Sequence, residues 1–423
     1  MSLDRTTAPP FIIPEEISFI KPTKRTLPNG VHLYFNSTPN LGAVRIEVNG
    51  ESLRGELGVT KKMVSFFTLH MLLEGTVTKS GAELDDFFDY YASEVEIISS
   101  FEHQGIALLT TKKHFSSVLP VFRELMTEAV FPEKELQKLK SQKALNISIQ
   151  FEKNAVRASH LFRQQLFGES HPYGMISEER DVALINREDL VDYYQNYLWV
   201  NPEIFIAGDL TENELELIEN VLGDLPVHSY QSTPPQFANI GKELLIENRE
   251  KSVQSSVRLG CHLIPKTHPD YHALSVFNTF LGGYFGSRLI KNIREDKGHT
   301  YGIYSSIGGL KSSDYWVIAA DVKKEYTSEV LDEIYKELEI LQYQEIPIEE
   351  LETVRNYLIG NLLSTFSSSF ELINRFKGIH QAGLDLSFYE NRLSFLKNFQ
   401  AADIQRTGQQ LISQDYFVGS IVG

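Results

Sequence analysis

The chain has a single cysteine, Cys261, so no internal disulfide can form and nothing in it demands an oxidising compartment. No cysteine and histidine cluster has the spacing of a structural zinc site. Positive charge is also short: 40 Lys and Arg stand against 56 Asp and Glu, a net charge of −16. Such a chain repels phosphate backbones and anionic lipid, so no nucleic acid and no membrane are expected among its partners. Long apolar runs are missing too. No stretch reaches the roughly 20 residues of a bilayer-spanning helix, and none of secretory length precedes the first predicted strand, which makes a cytoplasmic location the expectation.

What is present is globular. With 42% hydrophobic residues the chain can bury a core, which sets disorder aside. Its 423 residues exceed the size at which one core stops growing, so two domains of about 200 residues follow.

Two kinds of segment recur at nearly one offset. Val44-Arg45-Ile46-Glu47-Val48 alternates apolar and polar residues as a strand does, and Val257-Arg258-Leu259-Gly260-Cys261 repeats the pattern 213 residues later. Phe131-Pro132-Glu133-Lys134-Glu135-Leu136 opens a helix with proline and acids in its first turn, and Ile346-Pro347-Ile348-Glu349-Glu350-Leu351 echoes it, the prolines lying 215 residues apart. Internal duplication explains this shared spacing best. In the first half, strands are predicted near 31–36, 43–49, 94–100 and 105–111, with helices near 58–73, 82–92, 115–128 and 133–167. The fold class is therefore α+β: two homologous domains, each a mostly antiparallel or mixed sheet packed by helices. The polar, proline-bearing segment 229–241 reads as the linker between a domain at 1–228 and another at 242–423.

The segment Phe66-Phe67-Thr68-Leu69-His70 resembles the signature helix of the insulinase/pitrilysin zinc peptidases, whose active members carry H-x-x-E-H there. The Asp85–Tyr91 helix, the Phe131-Pro132 helix start and Leu166-Phe167-Gly168-Glu169-Ser170-His171-Pro172-Tyr173-Gly174 look like further landmarks of that family's first domain. In H-x-x-E-H two imidazoles at i and i+4 hold zinc, the glutamate polarises its water, and a distal glutamate completes the site. Here the first histidine position is Phe66 and the glutamate position is Leu69, while His70 survives. The distal ligand, about 76 residues further on, falls on Asn146. One imidazole is too few donors, so no metal is expected in this chain, and His70 reads as packed on a partly apolar helix face.

The second half keeps more. Gly282-Gly283-Tyr284-Phe285-Gly286-Ser287-Arg288-Leu289 leads into Ile293-Arg294-Glu295-Asp296-Lys297-Gly298-His299-Thr300-Tyr301-Gly302. This resembles the family's second-domain signature, in which an arginine and a tyrosine seven residues later face the zinc site; here they are Arg294 and Tyr301. A guanidinium and a phenol can hydrogen-bond the carbonyls of a peptide and the oxyanion formed on hydrolysis. The plainer alternative pairs Arg294 with Glu295 or Asp296 and buries Tyr301 in a strand core. The glycines lack the lysine of a phosphate-binding loop and read as a tight turn. His262, His268 and His272 have spacing that can ligate metal, but solvated histidines in a helix-opening loop are the expectation.

The resemblance implies a clam-shell of two domains and a chain that is inactive alone but forms part of a heteromeric metalloendopeptidase. Its partner would be a zinc-bearing sister subunit carrying H-x-x-E-H, with zinc as that subunit's cofactor and peptides as substrates. A homodimer is the form open to the chain by itself. Two alternatives stand beside this: a non-enzymatic structural or peptide-binding assembly subunit, and a self-sufficient metallopeptidase with a rebuilt metal site.

Overall fold

A computed structural model describes Thr6 and residues 19–53, 61–231, 244–311 and 313–423. Eleven strands among these form two sheets, and helices pack on both, which bears out the α+β expectation. The first sheet contains β1 (Thr23–Thr26), β2 (His32–Ser37), β3 (Ala43–Glu51), β4 (Glu94–Ser99), β5 (His103–Thr111) and β6 (Glu203–Gly208), in the order β1-β2-β6-β3-β5-β4. The second contains β7 (Leu244–Glu247), β8 (Gln254–His262), β9 (Thr300–Gly308), β10 (Tyr315–Lys323) and β11 (Val418–Val422), in the order β7-β11-β8-β10-β9. Neighbours are antiparallel except β2 with β6 and β7 with β11. Among the described residues β4 pairs only with β5 and β9 only with β10, so each sheet ends on an edge strand with one row of backbone groups unpaired by the fold. The predicted linker falls mostly at 232–241, outside the described residues.

The helices over the first sheet follow their local signals. Helix α2 (Gly81–Tyr90) starts on a capping box, in which Ser80 N donates to Glu83 Oε2 at 2.8 Å and Ser80 Oγ accepts from Glu83 N at 3.4 Å. Helix α3 (Phe115–Thr127) buries Val118, Leu119, Phe122 and Leu125 on one face at helical spacing. Two predicted helices are revised. The helix placed at 58–73 is α1 (Val64–Met71), with 58–60 outside the described residues.

The helix placed at 133–167 is two: α4 (Glu133–Glu152) and α5 (Asn154–Phe167), broken where Lys153 takes an extended conformation at ψ 119°. The break is satisfied from the other half of the chain. Arg249 donates to the carbonyls of Phe151 at 2.9 Å and Glu152 at 2.6 Å, groups that a helix end leaves without intrahelical partners. Asn154 Nδ2 donates to the carbonyl of Gln254 at 2.9 Å.

This turn sends α5 across to the second sheet. There Ala158 and Leu161 pack with Val422, and Phe162, Leu166 and Phe167 with Val418. Buried Arg258 of β8 donates from Nε to Ser159 Oγ at 3.1 Å, and Ser420 Oγ donates to the Ala158 carbonyl at 2.6 Å. Helix Ser369–His380 makes the reverse crossing, laying Ile373 and Phe376 on Tyr34, Phe205 and Ala207 of the first sheet. Beside them Lys377 Nζ donates to both Glu47 oxygens, at 2.6 and 2.8 Å, and His380 Nε2 lies 2.7 Å from Glu203 Oε1. Each sheet is thus covered on one face by a helix from the opposite half.

Candidate functional site

Helix α1 is fixed by burial of Val64, Phe67, Leu69 and Met71 in the first core. Leu69, which the resemblance sets at the glutamate position, is therefore a core side chain with no access to water. Phe66 and His70 are half-buried, one helical turn apart, with ring centres 4.0 Å apart and planes inclined at 31°. His70 Nδ1 lies 2.9 Å from the Phe66 carbonyl oxygen. A carbonyl only accepts, so Nδ1 carries the proton in the neutral ring. Burial holds the imidazole pKa below its ordinary value; the bond to Phe66 opposes this and the Lys143 charge reinforces it.

Lys143 is the residue that sequence reasoning missed. From α4 it places its ammonium 3.8 Å from the centre of the Phe66 ring, a cation–π contact. The signal was available: Lys143 precedes Asn146 by three residues, and residues so spaced share a helix face. Phe66, Lys143 and Asn146 line one cavity of about 360 Å³. Catalytic zinc takes three protein donors and an open position. The positions picked out by the resemblance supply one imidazole nitrogen, beside a phenyl ring, a buried leucine, a carboxamide and the Lys143 ammonium, and this set does not fit zinc. Among the described residues no group of three or more His, Cys, Asp or Glu is placed to hold a metal.

His262, His268 and His272 are each tied to separate partners. His262 Nε2 lies 2.7 Å from the Leu166 carbonyl and Nδ1 2.8 Å from Ser313 Oγ, while His268 Nδ1 accepts from the Asp270 amide at 3.1 Å. His272 is not the solvated side chain expected. It packs 4.8 Å from Phe388, and burial, with the charge of Arg392, lowers its pKa to about 4. Burial pushes the Cys261 thiol up to about 12, which removes it as a nucleophile at neutral pH.

Arg294 lies in a π-helical segment, Ile290–Asp296, a wide turn that commonly marks functional positions. Its neighbours anchor it. Arg288 makes two bonds to Glu350, at 2.8 and 2.7 Å, joining two of the segments singled out in the sequence, and Asn292 donates to Glu333 and Glu337, both at 2.7 Å. Gly282 is required here, because a Cβ would sit 2.7 Å from the Ser305 amide of β9. Among the described residues Arg294 has no ion pair with Glu295 or Asp296; its guanidinium lies 4.9 Å from the centre of the exposed Phe285 ring.

Tyr301 is 91% exposed, so it is not a strand-core aromatic. The cause is a bulge. Thr300 pairs with Val322 and Ile303 with Ala320, which leaves Tyr301 and Gly302 opposite Asp321 alone. Thr300 Oγ1 locks the irregularity by donating to the Asp321 carbonyl at 2.7 Å and accepting from the Gly302 amide at 3.1 Å. The phenol is thereby turned off the sheet at the free edge of β9.

Residues 184–358 match the Peptidase M16 inactive domain. The chain is similar to "Uncharacterized zinc protease YmxG" of Bacillus subtilis, 24% identical over 402 residues that cover 94% of this chain and 97% of that protein. It is also similar to "Non-peptidase homolog YmxG" of Helicobacter pylori, 22% identical, covering 89% of this chain and 85% of that one. In fold it is similar to the crystal structure of a peptidase M16 inactive domain from Pseudomonas fluorescens, with a TM-score of 0.87 and 21% identity over 96% of this chain and 98% of that chain. The comparisons thus place the likeness to the M16 inactive domain at 184–358 and the fold likeness over nearly the whole chain, while the segment that resembles the H-x-x-E-H helix is built around Phe66, Leu69 and Lys143.

Proposed function

We propose that this chain is the substrate-binding subunit of a two-subunit peptidase, presenting Arg294 and Tyr301 to peptides that a zinc-bearing sister subunit hydrolyses. The observation that carries the reading is the contrast between the two halves. Where the resemblance puts the first metal ligand and the water-activating glutamate, the first half has a phenyl ring under a lysine and a packed leucine. The second half holds a guanidinium without a carboxylate partner among the described residues, and a phenol that a bulge turns outward. Both are hydrogen-bond donors suited to peptide carbonyls and to an oxyanion. The open edges of β4 and β9 suit an extended peptide added as a strand, a mode whose main-chain bonds give affinity with little sequence preference.

The test is reconstitution with a sister subunit that carries H-x-x-E-H. Peptidase activity should appear only on mixing and should fall at least tenfold for Arg294→Ala and for Tyr301→Phe. Full activity in both variants would overturn the assignment. A second reading, a peptide-binding or assembly subunit with no part in hydrolysis, draws on the non-peptidase name of the Helicobacter relative. A stable native complex free of any zinc-bearing relative would favour it.

A further inference from the structure

The cavity beside Phe66 has a feature that the loss of zinc does not explain. Among the described residues its lining includes Lys143, Arg163 and His160 but no aspartate or glutamate, in a chain whose net charge is −16. Arg163, on α5, has its Nε buried with no hydrogen-bond partner among the described residues, and its guanidinium lies 5.8 Å from the Phe101 ring centre. His160, one turn earlier, has a buried Nδ1 that is likewise unpartnered among them. Burial lowers the pKa of both, the arginine being the next cause for the histidine, whose pKa falls to about 4. A partly buried guanidinium such as Arg163, for which the described residues show no counter-charge, is costly, and a protein keeps one where something else supplies the charge.

The occupant can be narrowed by the walls. Phe66, Phe101 and Phe151 are apolar surface in a space of about 360 Å³, which suits an organic acid better than a hydrated inorganic ion. Ser99, the last residue of edge strand β4, also lines it, so a peptide added along β4 passes its mouth. We propose that this cavity is a carboxylate subsite: Arg163 pairs with a carboxylate of an extended peptide, either its C-terminus or an acidic side chain, and Lys143 adds a second positive charge. Arg163 offers the forked donor pair that matches two carboxylate oxygens. The inference rests on the peptide-holding part of the function proposed above and needs no zinc-bearing partner.

Calorimetric titration of the full chain with three N-acetylated hexapeptides of one neutral sequence tests it: the free acid, the C-terminal amide, and the amide with one Ala→Glu change. The free acid binding at least tenfold tighter than the plain amide identifies the chain end as the source, and the same advantage for the Glu peptide identifies a side chain. Arg163→Met should erase that advantage and leave the plain amide's affinity unchanged. Lys143→Met, on the neighbouring helix α4, should reduce the advantage severalfold and serves if the first variant does not fold. Equal binding of all three peptides would overturn the carboxylate site while leaving peptide binding intact. Binding of none would overturn both.

Discussion

Lys143 holds its ammonium 3.8 Å from the centre of the ring of Phe66, the residue that the resemblance sets at the first zinc-ligand position. Each unit of positive charge brought within about 4 Å of it costs about 4 kcal/mol at an effective dielectric near 20. Restoring ligands alone is therefore insufficient. Phe66→His with Asn146→Glu should bind zinc weakly, and adding Lys143→Met should raise the affinity at least a hundredfold, as read by competition with a chromophoric chelator. Equal affinity with and without Lys143→Met would show that the lysine is not the obstacle.

Leu69→Glu, the change that would restore the family's glutamate, is expected to damage the fold. Leu69 is fully buried among Phe67, Met71 and the rest of the first core, and the described residues offer no built partner for a charge there. Burying an unpaired carboxylate should cost about 3–5 kcal/mol or force its protonation. Urea unfolding at pH 7 measures this, and a loss under about 1 kcal/mol would mean that the side chain can swing out to water.

Glu47 is 3% exposed and is held by Lys377 from the opposite half and by Asn49 Nδ2 at 3.1 Å. Lys377→Met leaves the carboxylate with the amide alone. It should cost about 2–4 kcal/mol, less than a fully buried pair because Lys377 keeps some contact with water. Adding Glu47→Gln should recover most of the loss. A double-mutant cycle in denaturant reads the coupling directly.

His272 supplies a pH dependence. Its pKa is about 4 in the fold against an unfolded value near 6.5, so between these pH values the unfolded chain binds the extra proton. The neutral ring's contribution is fully present above about pH 6.5 and is lost as pH falls towards 4. Because the ring keeps some contact with water, this amounts to about 1 kcal/mol rather than the full shift. His272→Phe should retain more stability at pH 4.5 relative to pH 7.5 than the parent. Parallel pH profiles for the two proteins would contradict it.

Tyr301→Phe and Arg294→Ala should each leave unfolding free energy within about 0.5 kcal/mol of the parent, since Tyr301 is exposed and Arg294 makes no ion pair among the described residues. Thermal melts beside the reconstituted assay separate a lost substrate contact from a lost fold.

Much of this was legible beforehand. Proline with acids at 132–135 and 347–350 marked two helix starts correctly, because first-turn preferences are local. The alternation at 44–48 and 257–261 located two strands, but its polar half misled about exposure. Arg258 reads as solvent-facing and is buried, since α5 arrives from 99 residues earlier to bond it through Ser159. The break at Lys153 was equally invisible: its compensation comes from Arg249, distant in sequence.

By itself the sequence determined which chemistry is missing. Phe66 and Leu69 cannot bind a metal in any fold, and identity settles that because donor atoms are a property of the side chain. Only the tertiary structure decided what fills the space and what remains presented. Lys143 meets Phe66 because α4 crosses α1, Tyr301 points outward because one extra residue interrupts the β9–β10 ladder, and Arg163 lies beside that cavity because α5 leaves its own half. Those outcomes depend on contacts between segments far apart in the chain, where local propensity carries no information and packing does.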